Sequence, residues 1–309
     1  MAKLSFIFPG QGSQYVGMGK EFFQNFPVAR QTFEEADDAL RFSLSTLCFD
    51  GPESELKLTF NTQPAILTVS VAILRVLSSE TGVRPVLVAG HSLGEYTSLI
   101  AADALPFPDG VRITRLRGQF MQEAVPVGIG SMTAIIGLSK EDVENICADA
   151  ASGQVVSPAN YNSPEQIVIS GHQEAVERAS AMATERGARL VPLPVSAPFH
   201  CSLMKPAAER LAVELKKIAF SDITIPVISN AEAEIYPSKD NIQALLTKQV
   251  DHPVKWEQSM SRLLQEEMEA VIEVGPGRVL CGLMKKINRS VQAINVEDIN
   301  GLKNLEKTC

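Results

Sequence analysis

Tryptophan occurs once in the 309 residues, tyrosine four times, and only 6% of the chain is aromatic. This is no aromatic-rich binding platform. Basic residues number 28 against 36 acidic ones, for a net charge of −8. No basic stripe runs along the chain, so nucleic acid is not an expected partner. Cysteine is sparse and shows no pairing: Cys48, Cys147, Cys201, Cys281 and Cys309 make an odd count with no C-x-x-C spacing, which fits reduced thiols in a cytoplasm. The four histidines, His91, His172, His200 and His252, make no H-x-x-x-H spacing, so no zinc signature is present and no metal is expected. The N-terminal "MAKLSFIFPG" is too short in its apolar run for a secretory leader. The longest apolar run, Ala65 to Leu77, is broken by Ser70 and Arg75, so no membrane span is expected. Repeats and low-complexity tracts are missing too. The expectation is a cytoplasmic, monomeric globular protein.

What is present is an ordinary globular composition, 45% hydrophobic and 21% charged. The length allows a core plus a second domain. "LSFIFPGQG" reads as a buried strand ending in a glycine turn. Helical periodicity runs through 28–42, 64–79 and 109–123. Between Pro126 and Pro198 the rhythm changes. "SMTAIIGL" reads as a strand and "SKEDVENICADAA" as a helix capped by Ser139. "GQVVSPANY" and "EQIVISG" are strands joined by Asn-Ser-Pro turn chemistry, "QEAVERASAMATERG" is a helix stopped by Gly187, and "ARLVPLPV" is a last strand. The order β-α-β-β-α-β is the split-βαβ pattern. It predicts a small domain at 127–198 inserted into a larger α/β domain made of 1–126 and 199–309. Helices at about 203–217, 241–249 and 256–267, the strand "AVIEVG", a helix from Arg278 and the strand "VQAINV" complete a mostly parallel sheet covered on both faces.

One stretch raises a chemical question. "AGHSLGEY", residues 89–96, sets Ser92 between two glycines after the apolar "RPVLVA". Serine is a favoured N-cap, and Glu95 three residues on makes the capping-box spacing. The same letters are a G-x-S-x-G elbow, where a strained serine stands on a strand-to-helix turn and Gly90 and Gly94 supply missing side chains. The strand before and the helix after favour the elbow.

A serine nucleophile needs a base. His200, in "PVSAPFHCSLMKP", lies where the chain would re-enter the large domain, on a cleft wall; the alternative is a packed neutral histidine beside Phe199. His91 reads as packing, His172 and His252 as surface residues. No aspartate stands out to orient the base. Gln249 could offer a carbonyl oxygen to the imidazole N–H, or be an exposed helix-end residue. Arg117 is anomalous. It shares a helical face with Ile113, Leu116, Phe120, Met121 and Ala124, and a buried guanidinium calls for an anion. That anion is an internal Asp or Glu, or a substrate carboxylate held by a bidentate fork. "FPGQGSQYVGMG" is neither a dinucleotide fingerprint nor a phosphate loop. Its poverty in side chains suits backbone N–H donors to an oxyanion, with Gln11 and Leu93 as candidates.

Together "FPGQGSQ", "GHSLGEY", "RGQFMQEAVP", "GQVVSPANYNSP", "LPVSAPFHCSLMKPA" and "EVGPGRVL" resemble, in order and over nearly the whole chain, the malonyl-CoA:acyl carrier protein transacylases of fatty acid synthesis. The resemblance implies an α/β-hydrolase-like large domain with a ferredoxin-like insert, and ping-pong acyl transfer from malonyl-CoA to the phosphopantetheine thiol of an acyl carrier protein without cofactor or metal. It implies that Ser92 is acylated, His200 moves the proton, Gln249 orients His200 through its carbonyl, and Arg117 pairs with the malonyl carboxylate. Gln11 and Leu93 N–H would hold the oxyanion, and Asn160 would line the cleft. Phe199, where some relatives carry serine, would narrow the acyl pocket toward unbranched malonyl. Rival expectations are a malonyl transferase serving a polyketide pathway, a serine thioesterase or hydrolase on the same elbow, and a non-catalytic scaffold. An acidic carrier would need a basic patch, for which Lys285, Lys286 and Arg289 are candidates; helix-dipole complementarity explains them equally well.

Overall fold

Leu4–Phe8 is apolar apart from Ser5, the pattern of a strand buried on both faces, and all five residues are buried. In the computed structural model, which describes residues 3–195 and 197–308, this segment is β1. There follow α1 (Lys20–Asn25), α2 (Pro27–Leu40), α3 (Leu44–Asp50), α4 (Glu53–Leu56), α5 (Thr59–Glu80), β2 (Leu87–Gly90), α6 (Gly94–Ala101) and α7 (Phe107–Glu123). The middle of the chain forms β3 (Gly130–Ile136), α8 (Lys140–Ala150), β4 (Val156–Ser163), β5 (Gln166–His172), α9 (Gln173–Glu185) and β6 (Arg189–Pro192). The chain then runs through α10 (Lys205–Leu215), β7 (Val227–Ile228), α11 (Ile242–Asp251), α12 (Trp256–Leu264), β8 (Ala270–Val274), α13 (Val279–Ile287), β9 (Gln292–Val296) and α14 (Ile299–Thr308).

The first sheet has the order β7-β2-β1-β8-β9, and its strand pairs are parallel. Alternate residues of β1 enter different cores: Leu4, Phe6 and Phe8 pack with α2 and α5, while Ile7 packs with Trp256 and Met260 of α12 and Leu280 of α13. The sheet is therefore covered on both faces. The second sheet is antiparallel, in the order β4-β5-β3-β6. Helices α8 and α9 cover one of its faces. Met132, Ala134 and Val168 on the other face join the main core, and this contact roofs the site described below.

Periodicity located most helices but not their ends. Helix α5 begins at Thr59 and carries Pro64 inside it, because the preceding turn of polar residues is buried rather than exposed. Helices α1, α3 and α4 and the two-residue β7 are too short for a periodic signal. One expectation is corrected. Helix α5, 22 residues, is long and apolar enough to cross a membrane by length and composition, although most of its apolar window is buried inside the protein; Ser70 and Arg75 do not break it. Its surroundings are those of a core helix.

Candidate active site

Strand β2 ends at Gly90, and Ser92 takes a left-handed φ of 51°. A Cβ on Gly90 would lie 1.9 Å from the Gly94 carbonyl oxygen, and one on Gly94 would lie 2.1 Å from the Phe8 oxygen. The turn closes this tightly only because both side chains are absent. The capping alternative is not realised. Leu93 occupies the N-cap of α6 without a side-chain bond, and Glu95 turns its carboxylate elsewhere. The strained serine is instead clamped from outside: its N–H donates to Asn230 Oδ1 at 2.6 Å, and Asn230 Nδ2 donates to Gly90 O at 2.8 Å.

His200 follows β6 and also has a left-handed φ, 59°, and it is buried. Its Nε2 lies 2.7 Å from Ser92 Oγ, and its Nδ1 lies 2.8 Å from the backbone oxygen of Gln249. A carbonyl oxygen only accepts, so Nδ1 carries the proton and Nε2 presents a lone pair to the serine O–H. Burial first, and then the Arg117 guanidinium, push His200 down to about 3. The imidazole is neutral at rest. The oxygen that faces Nδ1 is the main-chain carbonyl of Gln249, which any residue at 249 would offer. Its side chain is buried rather than exposed and does other work.

Arg117 is 1% exposed. No carboxylate hydrogen-bonds to it among the described residues; Glu95, the internal acid that acts on its charge, does so across Gln249. Its Nη1 donates to Gln63 Oε1 at 2.7 Å, and its Nη2 donates to Gln249 Oε1 at 2.8 Å and to Ser92 Oγ at 3.1 Å. The Tyr96 ring lies 5.5 Å from the guanidinium carbon, and Nε is buried with no partner. Desolvation lowers its pKa.

A cavity brings together Gln11, Leu93, Ser92, His200, Arg117, Asn160 and Phe199, with Met121, Met132, Leu193 and Val195 as an apolar wall. The N–H groups of Gln11 and Leu93 have no acceptor among the described residues, and the Gln11 side chain is held by Thr59 Oγ1 at 3.3 Å. Asn160 lies on β4, whose backbone bridges to Val254. Cys48, Cys147, Cys201 and Cys281 are free and buried; Cys309 lies outside the described residues.

Several residues escaped the sequence reading. His91, read as packing, lines the same cavity and is fixed by Asn162 Oδ1 at 2.8 Å. Gln63 carried no signal, since a polar residue in an apolar helix has many uses. Glu95 looked like a capping partner. Its buried carboxylate accepts instead from the Asn230 N–H at 3.1 Å, from Gln249 Nε2 at 2.6 Å and from the Tyr236 hydroxyl. Burial raises it to about 7.

The model of the acyl transferase domain matches residues 5–308. The malonyl CoA-acyl carrier protein transacylase of Escherichia coli strain K12 is 50% identical over 288 residues, 93% of each chain. That of Bacillus subtilis strain 168 is 48% identical over 300 residues, 96% of this chain and 94% of its own. Among solved structures, a malonyl-transacylase in complex with a type II PKS acyl-carrier protein superposes with a TM-score of 0.97 at 45% identity, covering 100% of both chains. The Clostridium perfringens malonyl CoA-acyl carrier protein transacylase gives 0.96 at 46% identity, over 99% of this chain and 97% of that one.

Proposed function

The chain belongs to the acyl transferase family, among its malonyl-CoA:acyl carrier protein transacylases, and on that premise we propose that it moves malonyl from coenzyme A to the phosphopantetheine thiol of an acyl carrier protein through a malonyl-serine. One observation carries the reading: a buried arginine without a carboxylate partner stands 3.1 Å from the serine oxygen. An acyl group with its own carboxylate would supply the missing anion.

In the first half-reaction the Ser92 oxygen attacks the thioester carbon while its proton passes to His200 Nε2. The N–H groups of Gln11 and Leu93 meet the developing oxyanion. The carbon–sulfur bond then breaks, and the coenzyme A sulfur leaves with the proton from His200. In the second half-reaction the carrier thiol yields its proton to His200 and attacks the malonyl-serine. The serine oxygen departs and recovers that proton. Arg117 holds the malonyl carboxylate throughout, so its work is selection and positioning. Asn160 and Phe199 shape the acyl pocket.

The division into a hydrolase-like large domain, 1–126 with 199–309, and a ferredoxin-like insert, 127–198, is part of this reading. It is supported by one parallel and one antiparallel sheet. The serine then sits at the carboxyl ends of the parallel strands, roofed by the insert. For the carrier, Lys285, Lys286 and Arg289 are exposed, and the first two occupy the last turn of α13. The product feeds fatty acid elongation; the neighbour bound to a type II PKS carrier makes competition between the two carrier classes the test of pathway.

The deciding experiment is intact-mass measurement after mixing with malonyl-CoA alone. One malonyl group should be added to the wild type and none to Ser92→Ala. Continuous release of free malonate would mean a hydrolase. Full transfer activity in Ser92→Ala would overturn the mechanism.

A further inference from the structure

A guanidinium buried in a protein is normally neutralised by a neighbouring Asp or Glu. Arg117 is held firmly without being neutralised. Gln63 Oε1 receives Nη1 and Gln249 Oε1 receives Nη2. Both amides have a determined orientation. The guanidinium has donors only, so each amide must turn its oxygen to it. The Gln249 Nε2 faces two acceptors, Ser92 O at 2.8 Å and Glu95 Oε2 at 2.6 Å, and the Gln63 Nε2 faces the Met121 sulfur at 3.8 Å.

The carboxylate bonded to this network, Glu95, is kept one amide away from Arg117 by Gln249. Tyr236 and the Asn230 N–H hold it there. Its raised pKa makes it a weaker counter-charge still. The approach of Gln63 is built into the helix packing. A Cβ on Gly118 would lie 2.6 Å from the Phe60 Cα, so only glycine lets α7 come down onto the first turns of α5.

We infer that Gln63 and Gln249 are specificity-determining residues: they fix Arg117 through neutral amide oxygens, which leaves its charge uncancelled until an acyl group bearing a carboxylate arrives. Neutral partners satisfy geometry and leave the Coulombic demand open. A carboxylate at either position would satisfy both and compete with the substrate. This inference rests on the carboxylate role of Arg117 proposed above.

The test is Gln63→Glu, which keeps the shape and adds the charge. The malonyl-to-acetyl ratio of kcat/KM, read in the acylation half-reaction, should fall roughly tenfold or more, as expected for a close buried charge pair. The unfolding temperature should rise, because Arg117 gains a partner. The neutral control Gln63→Met, which loses the acceptor but adds no charge, should lower the ratio less than Gln63→Glu does. An unchanged ratio in Gln63→Glu overturns the inference. So does a Gln63→Glu protein less stable than wild type or unable to fold, since the guanidinium charge was then already balanced. So does an equal loss of ratio in Gln63→Met, which would assign the effect to the lost acceptor. Arg117→Ala run in parallel separates the two levels. If it affects both acyl groups alike, the carboxylate reading itself has failed. If it is selective while Gln63→Glu is not, only the amide inference has failed.

Discussion

Replacing Arg117 by alanine removes two things of different size. With malonyl bound, the guanidinium has N–H groups left for the carboxylate: Nε, which has no partner, and the second proton of Nη1, whose other proton goes to Gln63. Hydrogen bonds to charged groups contribute about 1.5–3 kcal/mol each. Two of them, reduced by the cost of drying the substrate carboxylate, leave about 3 kcal/mol, or near two powers of ten in kcat/KM. An acetyl group makes no such contact. It loses only the 3.1 Å support of Ser92 Oγ, about 1 kcal/mol or roughly fivefold. The serine contact is lost with either substrate and cancels, so the malonyl-to-acetyl ratio should fall by about 3 kcal/mol, roughly 150-fold. The assay is the rate of acyl-serine formation followed by intact mass, with malonyl-CoA and acetyl-CoA at equal subsaturating concentration. A variant in which both rates drop by the same factor would refute the reasoning, because the guanidinium would then serve only the serine.

Four further outcomes rest on particular contacts. His200 sits near 3 rather than at its ordinary 6.5, so kcat/KM for acetyl-CoA should show no acid limb between pH 7 and 5; in Arg117→Ala, which removes a cause of the depression, the limb should move up. The same depression affects stability: as pH falls from 6.5 toward 3 the unfolded chain takes up a proton that folded His200 refuses, so this residue's contribution is present above 6.5 and lost below it, as denaturant titrations of wild type and His200→Ala across that window would show. Gly94→Ala places a Cβ 2.1 Å from the Phe8 oxygen and should cost about 3 kcal/mol or more in chemical denaturation, with loss of acylation. Phe199→Ser opens the acyl wall and should raise methylmalonyl transfer relative to malonyl by about 1–3 kcal/mol, tenfold or more, in a competition assay.

What could be read before folding was whatever the local letters constrain. Glycines flanking a serine between an apolar run and a helix state that a turn must be tight, and the turn at Ser92 is tight. An arginine on an apolar stripe states that something must face it. The β-α-β-β-α-β rhythm is visible because its strands and helices are long enough to be periodic; β7 is not, and the loop after it carries Asn230, 138 residues from the serine N–H it accepts. Gln249 could be named as a candidate to orient His200, but not which of its oxygens faces the imidazole. A backbone oxygen belongs to every residue, so nothing in the identity of residue 249 reports it. Glu95 misled because a carboxylate three residues after a serine fits a cap and a buried network equally, and only the placement of Tyr236 and Gln249 separates them.

The partners of Arg117 come from α5, from α11 and from the elbow, and all three are neutral oxygens. No local pattern records that a charge has been left open. It exists only as a relation among segments far apart in the chain. That is why the sequence shows the arginine as odd while only the assembled site shows that neutral oxygens alone receive its hydrogen bonds.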